Sequence, residues 1–351
     1  MAALDQPADV RVPLDRAALA EWLGDALGLG GDLDVRQFPS GFSNLTYLVT
    51  VAGRDLVLRR PPPGADVQGG HDMGREVTLL TALWGHLPVP QPLGFEPTGD
   101  VLGAPFFVME RVEGAILRST TPSADRPDAA AMATVADAFL DTFAALHAVD
   151  LAAVGLADFG RPQGYVRRQI DGWTRRYDRA RTDDVPAIDR AFAWLDANAP
   201  PEGAPALIHN DYKYDNLVLD PADLGTVRAV LDWELATVGD PLMDLGSTLG
   251  YWIEADDPPA LKALALSPTW WPGNPTRDEL VRRYAETTGR DPGDGVAYAV
   301  YGLLKLAVIA QQIYARWRSG HATDPRFEGL LHTVRACGDA ALRAIDRGRL
   351  S

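Results

Sequence analysis

Cysteine is nearly absent from this sequence: among 351 residues the only one is Cys337. A single cysteine excludes an intrachain disulfide and any zinc site that is built from cysteines. It lies in LLHTVRACGDAALRAI, where apolar residues recur at helical spacing. We therefore predict a small buried core residue at this position.

Basic residues are also scarce, with 33 Lys and Arg against 48 Asp and Glu, which gives a formal net charge of −15. Nucleic-acid phosphates and anionic membranes are bound by basic surfaces, so this balance argues against both partners. An acidic surface would attract a cationic substrate, although solubility explains the same charge without one. We expect neither a nucleic acid nor a membrane as a partner.

A long uninterrupted apolar run is missing as well. The most apolar stretch, GVAYAVYGLLKLAVIAQQIYARW, is interrupted by Lys305, Gln311 and Gln312. It falls short of the ~20 consecutive apolar residues that span a bilayer, so we predict a core helix. The first residues, MAALDQPADVRVPLD, contain neither the basic nor the apolar region of a signal peptide, and we expect a cytoplasmic protein.

The chain divides into a strand-rich first part and a mostly helical second part. After a helix at 15–28, residues from about 30 to 112 alternate apolar and polar positions and predict short strands, with one internal helix in GREVTLLTALWGHL. The proline-rich patches at 61–63 and 88–92 are interpreted as loops. From about residue 115 the pattern is mostly helical, and ALIH…NLVLD…VRAVLD is the only clear strand signal. The length favours one large bilobal unit or two domains.

The segment ALIHNDYKYDNLVLD, at 206–220, contains acidic, basic, amide and imidazole side chains between two apolar runs. The runs NLVLD and VRAVLD are separated by the turn-rich PADLGT, and an antiparallel pairing about Leu224 would place Asn216 opposite Asp232, to within one or two residues. Their oxygens are hard ligands that suit Mg²⁺, and Asp211 would then be free to accept a proton from a substrate hydroxyl. Phosphoryl transfer requires this arrangement.

The motif HNDYKYDN resembles the kinase catalytic loop H-x-D-x-K-x-x-N, and still more the H-x-D-x-x-x-x-N loop of the aminoglycoside phosphotransferase family of small-molecule kinases. In that family LDWE stands where protein kinases carry D-F-G. The resemblance implies a bilobal, protein-kinase-like α+β fold. Its antiparallel-sheet N-lobe would span 1–110, its mainly helical C-lobe 111–351, and its hinge about 110–114.

The resemblance also implies roles for individual residues of the C-lobe. Asp211 would be the catalytic base, and Lys213 would lie near the γ-phosphate. Asn216 and Asp232 would bind Mg²⁺, with Glu234 orienting a metal-bound water. His209 and Asp244 would support the catalytic loop, whereas Asp240 followed by Pro241 is explained as a helix N-cap and first position. The alternative is a hairpin whose Asp and Asn residues only form turns and a salt bridge.

In the N-lobe, LVLR places Arg59 where kinases carry a lysine, and Glu76 lies on the following helix, where it can pair with Arg59. Arginine keeps the charge but presents a planar fork in place of a compact ammonium group. The string G-x-S-N-x-T-Y…V-L-R-R-P-P resembles a subgroup, the kinase domains fused to or found beside acyl-CoA dehydrogenases. The alternative for Arg59 and Glu76 is two exposed charges without mutual contact.

The nucleotide would be bound by two further segments that the resemblance implies. The turn in PSGFSNLTYLV would cover the phosphates with residues Gly41, Ser43 and Asn44. The strand and hinge FFVMERVEG would contact adenine through backbone groups from Glu110 to Val112, with Met109 lining the pocket or filling the core. His71 and Asp72 are interpreted as a flexible loop or a helix start, with a substrate role as the alternative.

Three functions remain open. The first is an ATP- and Mg²⁺-dependent kinase that phosphorylates a hydroxyl of a small molecule, which the subgroup links to a hydroxyacyl-CoA or a related metabolite. The second is an aminoglycoside or amino-alcohol kinase, which an acidic substrate cleft would support. The third is a nucleotide-binding pseudokinase without catalysis.

The acceptor would lie on the helical C-lobe, and candidate residues there are aromatic or basic: Trp173, Arg176, Tyr177, Trp252, Trp270, Trp271, Tyr298 and Tyr301. Coenzyme A phosphates could be bound by Arg168, Arg175 or Arg176. Aromatic and basic residues at helical spacing more often belong to the core and to a solvated face than to a binding site. The sequence leaves open the acceptor, ATP or GTP as donor, and whether the protein is a monomer or a homodimer.

Overall fold

The computed structural model describes residues 7–39, 44–64, 71–263, 265–322 and 324–350. Its N-terminal part is a five-stranded antiparallel sheet with strand order β1-β2-β3-β5-β4. Helix α1 precedes the sheet and α2 lies between β3 and β4. The bounds of these elements are α1 (Arg16–Leu27), β1 (Leu33–Gln37), β2 (Leu45–Val51), β3 (Arg54–Arg60), α2 (Met73–Leu83), β4 (Pro92–Glu96) and β5 (Phe106–Glu110).

The two helices of this part begin and end at the residues that local physics favours. The Asp15 side chain accepts from the first backbone N–H groups of α1, and Gly28 ends the helix in the left-handed conformation, φ +68°. Asp72 caps α2 by accepting from Arg75 N. Asp72 is therefore a helix start, one of the two interpretations that the sequence left open.

Central strand β3 sends alternate side chains to opposite faces of the sheet. Leu56 and Leu58 pack on one face with Leu19 and Leu23 of α1. Val57 packs on the other face, toward α2 and the rest of the protein. Arg59 has the same parity as Val57, so it also faces α2.

Strand β4 begins at Pro92, the last residue of the patch interpreted as a loop, whereas residues 88–91 lie outside the strand as predicted. The ladder to β5 is irregular between Pro92 and Gly94. Proline has no N–H to donate, so it is tolerated at the start of an edge strand, which is where β4 lies. The proline density of the sequence concealed this short strand.

The C-terminal part is mainly helical and carries two small antiparallel ribbons, β6–β9 and β7–β8. Its elements are α3 (Ala129–His147), α4 (Tyr165–Ala180), α5 (Pro186–Ala197), β6 (Ala206–Ile208), β7 (Leu217–Asp220), β8 (Asp223–Val230), β9 (Thr237–Gly239), α6 (Pro241–Tyr251), α7 (Pro259–Lys262), α8 (Arg277–Thr288), α9 (Val296–Arg318) and α10 (Leu330–Arg347). An antiparallel sheet followed by this helical part gives the predicted α+β class.

Helices α6 and α9 pack backbone against backbone because both carry glycine at the contact. A Cβ atom on Gly302 would lie 1.8 Å from the carbonyl oxygen of Gly246, and one on Gly250 would lie 2.6 Å from the carbonyl oxygen of Gly302. This close approach brings the next turn of α9, with Lys305, beneath the catalytic loop.

Helices α3 and α9 are long and apolar enough to cross a membrane by length and composition alone. In this fold 67% of the most apolar window of α9, and 44% of that of α3, is buried inside the protein. Helix α9 packs against α4, α6 and α10, as expected of a core helix. Cys337 on α10 is fully buried, as predicted.

Candidate active site

The β7–β8 hairpin aligns the ends of the two motifs, with a one-residue correction to the predicted register. Leu217 pairs with Val230, and the N–H of Leu231 donates to the carbonyl oxygen of Asn216 at 2.8 Å. Asn216 therefore lies opposite Leu231 rather than Asp232. The cause is that β8 already begins at Asp223, so the turn is tighter than PADLGT suggested, and the strand absorbs the difference through irregularities.

Asp211 lies at the centre of the catalytic loop. Its Oδ2 atom forms an ion pair with the Lys213 ammonium group and accepts from Asn216 Nδ2 at 3.1 Å. Asn216 Nδ2 also donates to the Asp211 carbonyl oxygen at 2.8 Å. Burial raises the pKa of Asp211, but the Lys213 charge and hydrogen bond outweigh burial, so the pKa lies below its ordinary value. Asp211 is therefore ionised at neutral pH.

His209 is buried and fixed by its ring nitrogens. Nε2 donates to the Leu231 carbonyl oxygen at 3.0 Å, and Nδ1 accepts from the Asp211 N–H at 3.2 Å. These partners require a neutral ring, and burial lowers the pKa of His209 accordingly. The ring connects the catalytic loop to the hairpin through these two hydrogen bonds.

Asp244, in the first turn of α6, holds the backbone of the same loop. Its Oδ2 accepts from His209 N at 2.7 Å and from His147 Nε2 at 3.1 Å, and its Oδ1 accepts from Asn210 N at 2.7 Å. Burial raises its pKa, and these bonds lower it further than burial raises it. Asp240 caps α6, with its side chain accepting from Leu242 N at 2.8 Å, as predicted.

Two residues that the sequence interpretation missed also hold this loop. Tyr165 on α4 donates through its hydroxyl to Asn210 Oδ1 at 3.1 Å, and Lys305 on α9 donates to the Asn210 carbonyl oxygen. Asn210 has a positive φ of 66°, which few side chains adopt. The only sequence signal for Lys305 was a charge inside an apolar helix.

Arg59 joins the two parts of the protein through three carboxylates. Its Nη1 lies 3.3 Å from Glu76 Oε1, while Nη2 lies 3.1 Å from Asp232 Oδ1 and 3.0 Å from Glu234 Oε2. Asn44 Nδ2 donates to the same Glu234 oxygen at 2.6 Å. The alternative of two exposed charges is therefore wrong for Arg59 and Glu76, because both are buried and in contact.

One guanidinium charge is shared among these carboxylates, which explains the titration of Glu76. Burial raises the pKa of Glu76 to about 7, although Arg59 acts in the opposite direction. Burial also disfavours the charged form of Arg59, but Glu76, Asp232 and Glu234 together raise its pKa. Arg59 therefore stays charged, and the site holds more negative than positive charge.

The other residues predicted to bind the nucleotide lie before β2 and at the end of β5. Gly41 and Ser43 lie outside the described residues. Met109 is buried in the core, and the Glu110 N–H is bonded to the Gln91 carbonyl oxygen at 2.9 Å. Val112 follows the end of β5.

The acceptor candidates separate by burial. Those that fill the core are Tyr177, Trp252, Trp271, Tyr298 and Tyr301. Trp173 is half-buried and Arg176 is exposed, and the Arg176 guanidinium lies 4.6 Å from the Trp173 ring centroid. Trp270 is also half-buried. His71 Nδ1 lies 2.9 Å from Asn44 Oδ1, so it belongs to the cluster around Glu234.

A family model described as the phosphotransferase enzyme family (APH) matches residues 34–281, which is most of the chain. The chain belongs to this family. It is 36% identical over 303 residues to acyl-CoA dehydrogenase family member 11 of Gallus gallus, a match that covers 84% of the chain and 38% of that protein. The chain spans less than half the length of the curated relatives that it matches.

Solved structures agree with this assignment. A protein of Ralstonia eutropha, provisionally assigned as an aminoglycoside phosphotransferase, has a TM-score of 0.80 and 31% identity, covering 95% of this chain and 99% of that chain. A thermostable mutant of APH(4)-Ia, in ternary complex with AMP-PNP and hygromycin B, has a TM-score of 0.61 at 18% identity, covering 93% and 98%. The second likeness shows the fold alone. The predicted family, the kinase-like α+β fold and the subgroup resemblance are confirmed, and this member of the family is a small-molecule kinase.

Proposed function

We propose that this kinase uses Mg²⁺ and ATP to phosphorylate a hydroxyl group of a small anionic metabolite, with a hydroxyacyl-CoA as the leading candidate. The observation that carries the proposal is the convergence of an ionised Asp211, the Lys213 ammonium group and Asn216 at one end of a hairpin. The adjoining carboxylates Asp232 and Glu234 meet at a single cation.

Asp211 is our proposed base. It is ionised, its Oδ2 is oriented by Lys213 and Asn216, and its backbone is fixed through His209. A carboxylate held in this way can accept a hydrogen bond from an acceptor hydroxyl and orient the oxygen for in-line attack. The low pKa suits a group that positions the nucleophile and takes up its proton late in the reaction.

The donor set beside Asp211 fits Mg²⁺. Asp232 and Glu234 present oxygen atoms that already converge on one cation, the Arg59 guanidinium, and the Asn216 side chain adds an amide oxygen. Oxygen ligands of this kind are those that Mg²⁺ prefers. When bound, the ion would neutralise charge on the phosphate oxygens.

The nucleotide would lie between the sheet and the catalytic loop. Arg59 offers a charged fork in the place of the kinase lysine, and Asn44 is held to the C-terminal part through Glu234. The structural relative that contains AMP-PNP supports a nucleoside triphosphate as the phosphate donor. We further propose the hinge at 110–114 as the adenine contact and the cytoplasm as the location, for a monomer or homodimer.

An anionic acceptor is favoured by helix α4. It carries five arginines and only two aspartates in a protein whose net charge is −15. No ion pair between described residues involves Arg175, Arg176 or Arg179. Arg176 stacks on Trp173, whose ring centroid lies 6.0 Å from Lys305 Nζ, so this basic face adjoins the catalytic loop. A cationic aminoglycoside or amino alcohol would be repelled there.

The experiment incubates the protein with Mg·ATP and separate panels of hydroxyacyl-CoAs, aminoglycosides and amino alcohols, and detects phosphorylated products by mass spectrometry. We expect a product from the acyl-CoA panel. Asp211→Asn should lower turnover by at least ~10² while Mg·ATP binding is retained in calorimetry. Asp223→Asn, at the exposed turn of the same hairpin, is the matched control and should behave as wild type.

Three outcomes would contradict parts of the proposal. Wild-type turnover by Asp211→Asn would remove the assigned base. A product only from a cationic panel would select the amino-alcohol or aminoglycoside alternative. Nucleotide binding without any product or ATP turnover would support the pseudokinase. For the anionic acceptor, Arg176→Gln should raise KM about tenfold with little change in kcat, whereas the exposed Arg282→Gln should not.

A further inference from the structure

Lys305 is a buried ammonium group in the middle of the apolar helix α9. It is 4% exposed, and among the described residues it has no carboxylate within ion-pair distance. Its Nζ atom instead donates to the Asn210 carbonyl oxygen and, at 3.0 Å, to Ser247 Oγ. Burying an unpaired charge is costly, so these hydrogen bonds are the local compensation for it.

The residue that Lys305 holds immediately precedes the proposed base. Asn210 has a left-handed backbone, and each of its polar groups has a partner. Its N–H donates to Asp244, its side chain accepts from Tyr165 and donates to the Leu235 carbonyl oxygen, and its own carbonyl accepts from Lys305. That carbonyl belongs to the peptide that continues into Asp211. The orientation of this peptide therefore sets the position of the Asp211 Cα atom, from which the carboxylate projects.

We propose that Lys305 is a positioning residue for phosphoryl transfer, whose charged ammonium group anchors the Asn210 carbonyl and thereby orients the Asp211 carboxylate. The inference rests on the proposed function, in which Asp211 is the base. Lys305 lies on α9, outside the catalytic loop, and contacts neither the Asp211 carboxylate nor the proposed metal ligands. The inference therefore gives a role in the reaction to a residue that acts through Asn210.

The charge state of Lys305 gives this role a pH signature. Burial lowers its pKa to about 8. The charged groups that act on Lys305 lie on the catalytic loop, α6 and α4: Asp211 and Asp244 raise its pKa, whereas Lys213 and Arg176 lower it. Tyr165 and Tyr301, which are also nearby, have raised pKa values and stay neutral in this range. A neutral amine is the weaker donor, so positioning should weaken above pH 8.

The effect on stability has the opposite sign. Between pH 8 and the ordinary lysine pKa, near 10.4, the unfolded chain binds the Lys305 proton and the native protein does not. The contribution of this lysine to the free energy of unfolding therefore rises with pH in that window. A loss of turnover above pH 8 that follows Lys305 cannot be a loss of folded protein caused by the same group.

The test compares kcat from pH 6 to 10 in wild type, Lys305→Met, Ser247→Ala and Asp211→Asn, measured as ADP release from Mg·ATP with the acceptor panel above. For Lys305→Met we expect about a tenfold lower kcat at pH 7, no decline specific to pH 8 and above, and an unchanged Kd for Mg·AMP-PNP. Ser247→Ala keeps the Asn210 contact but removes the second acceptor. It should stay within about threefold of wild type and shift the alkaline decline to lower pH.

Several results would overturn the inference. Lys305→Met could match wild type in kcat and pH profile, or it could lose nucleotide binding together with turnover, which would indicate a general structural role. If Lys305→Met does not fold, a wild-type kcat that is flat from pH 7 to 9.5, with circular dichroism showing folded protein, is equally decisive. Asp211→Asn separates the two proposals: its full activity would refute the base, whatever Lys305 does.

Discussion

Replacing Arg59 by methionine tests how strongly the buried charge cluster holds the two parts of the protein together. The Arg59 side chain is 9% exposed and that of Glu76 is 2% exposed, so neither charge can be solvated when its partner is removed. Methionine preserves most of the volume and removes the charge. Glu76, Asp232 and Glu234 then lose the cation that they share.

The expected loss follows from the burial. Removing one partner of a buried ion pair costs about 3–5 kcal/mol, because the other charge stays desolvated. For a domain whose total stability is about 5–15 kcal/mol, this is a large fraction. Adding Glu76→Gln to Arg59→Met removes one of the orphaned carboxylates and should recover about 1–3 kcal/mol, so the two changes will not be additive.

The assay is urea unfolding of both single variants and the double variant at several pH values. In wild type the pKa of Glu76 is raised to about 7 from the usual value of 4.5. Its contribution to the free energy of unfolding is therefore complete below pH 4.5 and is lost as pH rises toward 7, by at most ~3 kcal/mol. Glu76→Gln should remove this dependence.

The reasoning would be refuted if Arg59→Met cost less than ~1 kcal/mol, or if the double variant were no more stable than Arg59→Met. A pH dependence unchanged by Glu76→Gln would also refute the origin that we assign to it. Gln91→Met, at a half-buried position outside the cluster, serves as the control for side-chain replacement.

Two further predictions concern the scaffold. Gly302→Ala would place a methyl group 1.8 Å from the Gly246 carbonyl oxygen, so we expect thermal melts to show a loss of ~3 kcal/mol or more in the free energy of unfolding. Gly329 has open space around it, so the control Gly329→Ala should change stability by less than ~1 kcal/mol. Equal effects of the two substitutions would contradict the packing argument. Asp244→Asn replaces acceptors of two loop N–H groups by a weaker acceptor and a donor, so it should cost ~2 kcal/mol or more in urea unfolding and lower kcat, and full activity would show that the loop needs no such brace.

Much of the fold could be predicted because long elements carry strong local signals. Helices α1, α3 and α9 combine clear apolar periodicity with capping residues or sharp ends, and the hairpin strands β2 and β3 alternate around a tight turn. The prolines before and within β4 concealed that strand, and β9 has only three residues, too few for a periodic signal. Tertiary pairing with β5 and β6 decides them, and the sequence does not record that pairing locally.

The residues of the catalytic loop were predicted from the resemblance of HNDYKYDN to the family motif, and the structure brings Asp211, Lys213 and Asn216 into contact. The hairpin register was not predicted correctly, since a bulge shifts the pairing without changing the apolar pattern. The contacts of Lys305 and Tyr165 with Asn210 join residues about 95 and 45 positions apart, and only the packed structure brings them together. Long-range polar contacts of this kind leave no periodic trace.

The arginine at position 59 departs from the general kinase pattern, and its geometry makes contacts that a lysine could not make. A lysine ammonium group is a single point, whereas the two Nη atoms of Arg59 reach carboxylates on opposite sides, Glu76 through Nη1 and the pair Asp232 and Glu234 through Nη2. The helix carboxylate and the proposed metal ligands are thereby linked through one planar group. Asn44 binds the same Glu234 oxygen, so the contact between the sheet and Glu234 does not depend on arginine alone. A lysine at this position should therefore keep the positive charge but contact either Glu76 or the pair Asp232 and Glu234, not both.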